Sequence, residues 1–313
     1  MPYPVLGRSL RVAAVTLAIS SFATPAQADV RSLTDFVLAA DKADPVALVV
    51  PPAPTPNEIA LDEAVARGRH WRIDSERGPI HVWIPAGYDA ATAATVVFVH
   101  GYFVSVDEAW ADYRLPQQFA LSGINAMFIA AQSPMDKRDS LTWPSLHALV
   151  RTVKDSVDVT LPSKRLVAVG HSGAYRTLAN WLPNELLDTV VLLDAMYGEY
   201  RFMPWVREDK QRRLVNIAYE TQGYSNWMHR HLPSTVKLDG LPEQGFPDAR
   251  ILYATTDVGH WQLVTDGIAL PLALRAIGVG AVADAPVDIP LGLPLRCEPI
   301  DHAFAPKLAE VAR

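Results

Sequence analysis

The chain is poor in cysteine and in positive charge. Cys297 is the single cysteine among 313 residues, so no intramolecular disulfide can form. The surrounding "LPLRCEP" holds no histidine, which indicates a structural residue instead of a nucleophile. The 28 Lys and Arg residues are outnumbered by 34 Asp and Glu residues, and the net charge is −6 at pH 7. This balance lacks the basic footprint of a nucleic-acid-binding protein, and we expect no nucleic-acid partner.

Long apolar runs are also scarce. After residue 28, no segment reaches the roughly 18 uninterrupted apolar residues of a transmembrane helix, so we expect none in the mature chain. Near the N-terminus, Arg8 and Arg11 precede an apolar run of about a dozen residues, and Ala26-Gln27-Ala28 has the small-x-small form of a secretory cleavage site. We therefore expect residues 1–28 to be a signal peptide cleaved near Ala28, and the protein to be exported, either periplasmic or secreted.

The rest of the chain divides by composition into three parts. Residues 29–68 form an N-terminal extension with a Pro-rich linker, residues 69–280 a folded domain, and residues 281–313 a Pro-rich C-terminal tail. The domain opens with "HWRID" and "PIHVWIP", which are typical of an antiparallel hairpin. Amphipathic helices then alternate with apolar runs, namely "TVVFVHG", "INAMFIAAQS", "RLVAVG", "TVVLLDA", "LVNIAYE" and "RILYATT". This alternation predicts an α/β fold, a mostly parallel twisted sheet with helices on both faces.

One short stretch, "GHSGA" at residues 170–174, passes from an apolar strand to a helical pattern within five small or polar residues. Working groups of parallel sheets lie at the carboxyl ends of the strands, and Ser172 holds such a place. Small neighbours let strand and helix approach closely and turn the serine outward, as in the nucleophile elbow G-x-S-x-G, here with Ala174 at the fifth position. The competing interpretation is an inert helix N-cap, which is a common role for serine.

A serine nucleophile needs a base and an acid that orients the base. His260, in the loop after "RILYATT", is the best-placed histidine. Two acids follow strands: Asp194 closes "VVLLD", and Glu220 closes "VNIAYE". We favour Asp194, because an aspartate at the end of a wholly apolar run must find a partner where it is buried, and we keep Glu220 as the alternative acid.

The loop after the first alternating strand, "VFVHGYF", predicts an oxyanion hole. Its backbone can donate an N–H from Tyr102 or Phe103, with Tyr102 preferred, while Gly173 supplies the second N–H. His100 and Gly101 would support this loop. A histidine pair with one residue between its members, His-x-His in "WMHRHLP", has no third ligand at a fixed spacing, so we expect no metal site.

The motifs "GHSGA" and "VHGY", with Asp194 and His260 after later strands, resemble the α/β-hydrolase fold superfamily over roughly residues 70 to 280. A weaker resemblance is to exported bacterial serine hydrolases of unassigned substrate. The superfamily implies a serine hydrolase that works through an acyl-enzyme and needs no metal or organic cofactor. Its usual acid follows the strand after the one that bears Asp194, which is the place of Glu220, although some members carry the acid one strand earlier.

Aromatic residues are frequent in the segments expected around the site, and Phe103, Tyr197 and Trp261 are the candidate substrate contacts. Lid-like segments are expected within about residues 195–237, where "EYRFMPWVREDKQRR" is too charged to favour triglyceride. The expected function is an exported serine hydrolase that cleaves a small or polymer-linked carboxylic ester, or an amide. The alternatives are a peptidase or amidase acting on a cell-envelope component, and a non-catalytic binding module of the same fold.

Overall fold

A computed structural model describes residues 53–163, 165–198, 200–283, 285–286 and 290–293. The predicted signal peptide, the first part of the extension and most of the C-terminal tail lie outside these residues. The described part opens with helix α1, Pro56–Arg67, which begins with a capping box. In this box Glu58 accepts a hydrogen bond from the Thr55 N–H, and the Thr55 hydroxyl accepts one from the Glu58 N–H. The prolines alone predicted a linker here, whereas "TPNE" is a helix start signal.

Nine strands form one sheet in the order β1-β2-β4-β3-β5-β6-β7-β9-β8. The first two strands form the predicted antiparallel hairpin, β2 also pairs antiparallel with β4, and every other pair is parallel. The strands are β1 Arg69–Ile73, β2 Ile80–Ile84, β3 Ala94–Val99, β4 Ala126–Ala131, β5 Leu166–His171, β6 Leu187–Leu193, β7 Arg213–Ala218, β8 Thr235–Asp239 and β9 Ile251–Thr255. This order, with its hairpin and parallel crossovers, is the α/β-hydrolase arrangement, and the predicted fold class is confirmed.

Helices cover both faces of the sheet, because successive residues of a buried strand point to opposite sides. Val96 of β3 packs in one apolar cluster with α1, α2, α3, α8 and α9, and Val97 packs in a second cluster with α4 to α7. The helices after α1 are α2 Val106–Asp112, α3 Leu115–Ser122, α4 Leu146–Ser156, α5 Tyr175–Trp181, α6 Phe202–Glu208, α7 Gln222–Arg230, α8 Gln262–Thr265 and α9 Ala269–Arg275. Within the described ranges, no helix is both long and apolar enough to span a membrane.

Two local features differ from the sequence-based expectation. The segment "VDEAWADYRLPQQFALSG" predicts one helix interrupted at Pro116, whereas the structure has two helices and the break lies earlier, at Arg114, whose φ of 49° is left-handed. Pro116 instead occupies the first turn of α3, where its missing N–H has no helical partner to lose. The edge strand β8 was not predicted at all. Its residues are mostly exposed or half-buried, so "TVKLD" lacks the apolar run that marked the other parallel strands.

Candidate active site

Ser172 follows β5 directly and adopts a φ of 53°, in the left-handed region that non-glycine residues rarely occupy. A single 3-10 turn, Ser172–Ala174, then leads into α5. The N-cap of α5 is Ala174, with no side-chain hydrogen bond, so Ser172 does not cap this helix. Ala174 has ordinary helical angles, φ −58° and ψ −20°, which explains why the fifth position of the elbow does not need glycine.

Two glycines allow the loop after β3 to lie against the elbow. A methyl group at Gly101 would lie 2.8 Å from Cβ of Ser172, closer than real side chains approach. A methyl group at Gly173 would meet the ring of Tyr102 at 2.5 Å. The Tyr102 hydroxyl in turn accepts a 3.3 Å hydrogen bond from Arg176 of α5. The structure therefore brings "VHGY" and "GHSGA" together, because β3 and β5 are paired neighbours in the sheet.

His100 stabilises the same loop through two hydrogen bonds to main-chain groups. Its Nε2 accepts from the Ser133 N–H at 2.9 Å, so the ring hydrogen is on Nδ1, which donates to the Gly101 carbonyl at 2.7 Å. Burial lowers the pKa of His100 to about 4, and the ring is neutral at neutral pH. The N–H of Phe103, three residues after His100, donates to the Met135 carbonyl at 2.9 Å.

His260 lies beside the elbow because it contacts the residue before Ser172. The Nε2 of His171 donates to the His260 carbonyl at 3.0 Å, and the two ring centroids are 4.5 Å apart. Burial, together with the nearby His260, lowers the pKa of His171 well below its ordinary value, so His171 is neutral. Sequence reasoning missed this support, and only its position next to Ser172 pointed to it.

Asp194 follows β6 and is completely buried. Its Oδ2 lies 2.7 Å from Nδ1 of His260, which is itself only 12% exposed. Its two oxygens also accept from three consecutive backbone N–H groups and one hydroxyl, at Tyr219, Glu220 and Thr221, over 2.7 to 3.1 Å. Burial opposes ionisation, but the hydrogen bonds from His260 and Thr221 outweigh it and hold the pKa of Asp194 well below its ordinary value.

These contacts set the tautomer of His260. An ionised carboxylate only accepts hydrogen bonds, so the hydrogen of His260 lies on Nδ1 and faces Asp194. Its Nε2 is then left with a lone pair that can take a proton. The arrangement combines a half-buried serine at a left-handed turn, an oriented imidazole and a buried carboxylate at one edge of the sheet.

The sequence placed Glu220 at the end of β7, but the strand ends at Ala218 and Glu220 lies two residues beyond it. Its Oε2 is 4.0 Å from Nδ1 of His260, and its side chain is 55% exposed. The same Oε2 is 3.4 Å from the hydroxyl of Tyr197. The structure therefore brings both candidate acids to His260, but only Asp194 is within hydrogen-bond distance.

The candidate substrate contacts occupy different depths. Phe103 is exposed at the rim, with its ring 6.2 Å from that of Tyr102. Tyr197 is half-buried, and its ring stands edge-on to His260 at 6.5 Å. Trp261 packs against the core, with its ring 5.5 Å from both His171 and His260, so it also holds these two rings in place.

Ligand atoms of Asp194, Glu220 and His260 lie within 4.8 Å of one another, the single cluster of three such donors in the ranges that the structure describes. A metal ion at this cluster would compete with the bond between Asp194 and His260. The two histidines of the His-x-His pair bond different protein groups. Both ring nitrogens of His229 contact protein partners, and Nδ1 of His231 bonds the Trp227 carbonyl.

No protein-family model and no curated protein matches the chain. Solved structures with a similar fold include a mutant of the feruloyl esterase module from Clostridium thermocellum complexed with sinapinate, at 11% identity and a TM-score of 0.47, covering 72% of this chain and 91% of that one. An S-formylglutathione hydrolase from Agrobacterium tumefaciens matches at 9% identity and a TM-score of 0.46, and the match covers 68% of this chain and 95% of that one. An arylesterase matches at 11% identity and a TM-score of 0.43, and the match covers 79% of this chain and 96% of that one. Identities and TM-scores of this size assign neither an activity nor a substrate to this chain.

Proposed function

We propose that the protein is a serine hydrolase that cleaves carboxylic esters through an acyl-enzyme. The observation that carries the proposal is the 2.7 Å bond between His260 Nδ1 and the buried Asp194, next to a serine held at a left-handed strand-to-helix turn. A serine hydroxyl is a weak nucleophile until a base takes its proton. The strained turn and the oriented imidazole have no evident structural purpose unless they serve that chemistry.

In the first half-reaction, Ser172 Oγ attacks the carbonyl carbon of the ester and its proton passes to Nε2 of His260. The C–O bond to the alcohol then breaks, and His260 gives the proton to the leaving oxygen. In the second half-reaction, water attacks the acyl-enzyme, His260 takes a proton from it and returns the proton to Ser172. Asp194 keeps its charge throughout and stabilises the imidazolium that forms in each half-reaction.

The developing oxyanion needs two aligned donors. Gly173 supplies one, as the residue after the nucleophile. The N–H of Phe103 is committed to the Met135 carbonyl, which supports Tyr102 as the second donor. Loss of one such donor costs about 3 kcal/mol of transition-state stabilisation.

An ester is favoured over an amide because the superfamily that the motifs resemble contains more esterases. Peptidase or amidase action on a cell-envelope component stays an alternative, and so does a non-catalytic binding module. The intact set of serine, histidine and buried acid argues against the binding module, since a module without catalysis has no use for it. Export is part of the same proposal and rests on the N-terminal pattern before Ala28.

Covalent labelling with a fluorophosphonate tests the mechanism, because this probe reacts with activated serines. We expect rapid labelling of the full-length mature protein, and no labelling of Ser172→Ala or His260→Ala. Ser225→Ala is the matched control, since this buried serine in α7 accepts a hydrogen bond from Asn216 and has no role in the proposed mechanism. Labelling that survives Ser172→Ala refutes the mechanism, and an unlabelled parent protein favours the binding module.

A further inference from the structure

Arg176, the second residue of α5, joins the helix after the elbow to two loops of the site. Its Nη1 donates to the Lys137 carbonyl at 2.8 Å and its Nη2 to the Asp139 carbonyl at 3.0 Å. Both carbonyls belong to the loop after β4, residues 132–139, which we call the β4 loop. The same Nη1 donates to the Tyr102 hydroxyl at 3.3 Å. A guanidinium is planar and presents its N–H groups in a fixed fork, so one side chain holds these groups at fixed relative positions.

The β4 loop in turn holds the β3 loop, which runs from His100 to Phe103 after β3. At one end the Ser133 N–H donates to Nε2 of His100 at 2.9 Å. At the other end the Phe103 N–H donates to the Met135 carbonyl at 2.9 Å. Asp139 braces the β4 loop, since its Oδ2 accepts from the Met135 N–H at 3.0 Å. A series of hydrogen bonds therefore connects the guanidinium, through Asp139 and Met135, to Phe103.

The β3 loop needs this support because it contains a strained residue. Phe103 has a φ of 69°, in the left-handed region, and a bulky residue persists there only when the surrounding structure holds it. Tyr102 directly precedes it, and its ring packs on Gly173, where a methyl group would lie 2.5 Å from a ring atom. The side chain of Tyr102 is thus fixed by the elbow and by Arg176, and its main chain by the bonded neighbour Phe103.

We propose that Arg176 is a positioning residue that holds the main-chain N–H of Tyr102 where the oxyanion develops. This inference rests on the proposed function, in which Tyr102 and Gly173 donate to the oxyanion. Gly173 lies on the elbow and Tyr102 on the β3 loop, so the two donors belong to different segments of the chain. Arg176 connects these segments, because it is part of α5 and bonds both Tyr102 and the β4 loop. It acts through protein groups and does not touch the substrate.

Both half-reactions pass through an oxyanion, so displacing a donor should slow both, lower kcat and leave KM for a short ester nearly unchanged. Outright loss of a donor costs about 10²- to 10³-fold in kcat. Arg176→Met keeps the aliphatic stem but loses every side-chain N–H. The Tyr102 N–H is then displaced but not removed, and we expect kcat to fall about 10- to 50-fold. Arg176→Lys keeps the charge and some donors without the fork, and should recover part of the loss.

A trifluoromethyl alkyl ketone reports on the oxyanion hole directly. Oγ of Ser172 adds to its carbonyl carbon, the hydroxyl proton passes to His260, and the ketone oxygen becomes an oxyanion. The corresponding secondary alcohol has the same chain but no carbonyl, so it occupies the site without forming an oxyanion. For Arg176→Met we expect the Ki of the ketone to rise by the same factor as kcat/KM falls, and the Ki of the alcohol to stay unchanged. A residue with only a structural role would weaken the binding of both inhibitors.

Arg250→Met is the matched control, and all variants are made in the full-length mature protein. Arg250 likewise bonds main-chain carbonyls, of Val206 at 2.7 Å and of Arg212 at 3.2 Å, but it lies at the amino end of β9. This variant should match the parent in kcat, KM and both Ki values. Tyr102→Phe, which keeps the ring and loses one bond to Arg176, is a milder variant in case Arg176→Met fails to fold. It should lower kcat by less, with a parallel rise in the Ki of the ketone.

Unchanged kcat in a folded Arg176→Met protein, or a fall in kcat with no rise in the Ki of the ketone, overturns the inference. An equal weakening of ketone and alcohol binding also overturns it. If Arg176→Met does not fold, an unchanged Tyr102→Phe protein has the same consequence. If the ketone does not inhibit the parent, or Ser172→Ala retains hydrolysis, the proposed function itself fails, so the two failures are distinguishable.

Discussion

Replacing the buried acid should almost abolish activity, and the structure indicates how. Asn at position 194 converts one acceptor oxygen into an NH₂ donor. The Oδ1 position receives three donors, from Tyr219 and Thr221, whereas Oδ2 receives two, from Glu220 and His260. The amide oxygen should therefore keep the Oδ1 position and leave the NH₂ group facing His260.

A donor at that place forces His260 into its other tautomer, with the hydrogen on Nε2, where the proton from Ser172 must go. The expected loss in kcat for Asp194→Asn is about 10⁴-fold, which is about 5 kcal/mol of barrier. Glu220→Gln should change kcat/KM by less than about fivefold, because an exposed charge contact contributes at most about 1 kcal/mol. The matched pair differs only in which carboxylate is removed.

Both variants are assayed for hydrolysis of a short acyl ester and for the rate of fluorophosphonate labelling. Thermal unfolding of each variant separates lost catalysis from lost folding, since an NH₂ group facing buried donors costs about 1–3 kcal/mol of stability. A folded Asp194→Asn protein with activity within tenfold of the parent refutes the reasoning, above all if Glu220→Gln is the inactive variant.

Two further predictions concern the whole chain. Burial lowers the pKa of His100 and His229 to about 4 and lowers that of His171 well below its ordinary value, so the folded state binds fewer protons than the unfolded chain. These histidines should contribute their whole stabilisation above about pH 6.5. The free energy of unfolding should then fall towards pH 4, by up to about 1.4 kcal/mol per pH unit for each histidine. Urea unfolding at pH 7 and pH 5 measures this, and equal values contradict it. Expression in a host with a general secretion pathway should yield a mature N-terminus near Asp29 by mass spectrometry, and an intact N-terminus in the exported fraction is the contrary result.

The parallel sheet could be predicted from sequence because its strands are continuous Val, Ile and Leu runs, and the elbow because small residues cluster at Ser172. The choice between Asp194 and Glu220 depended on distances of 2.7 and 4.0 Å to one nitrogen, which strand-end reasoning does not resolve. Strand β8 was not predicted because its residues are exposed or half-buried and do not form an apolar run.

The contact between Tyr197 and Glu220 was not predictable for a related reason. The loops after the paired strands β6 and β7 approach each other at the carboxyl ends of these strands, and no periodicity in the sequence reports on such an approach. His171 shows the opposite case. Its place beside Ser172 was visible in "GHSGA", but its bond to the His260 carbonyl required the fold.

Three donors to Asp194 are main-chain N–H groups, at Tyr219, Glu220 and Thr221, and the other two are the Thr221 hydroxyl and His260. Every amino acid except proline supplies the same main-chain donor. Substitution of the exposed Tyr219 side chain therefore leaves its N–H bond to Asp194 in place, and the carboxylate facing His260 is undisturbed. In the proposed hydrolase, the position of the buried acid thus tolerates changes in the side chains exposed a few residues away.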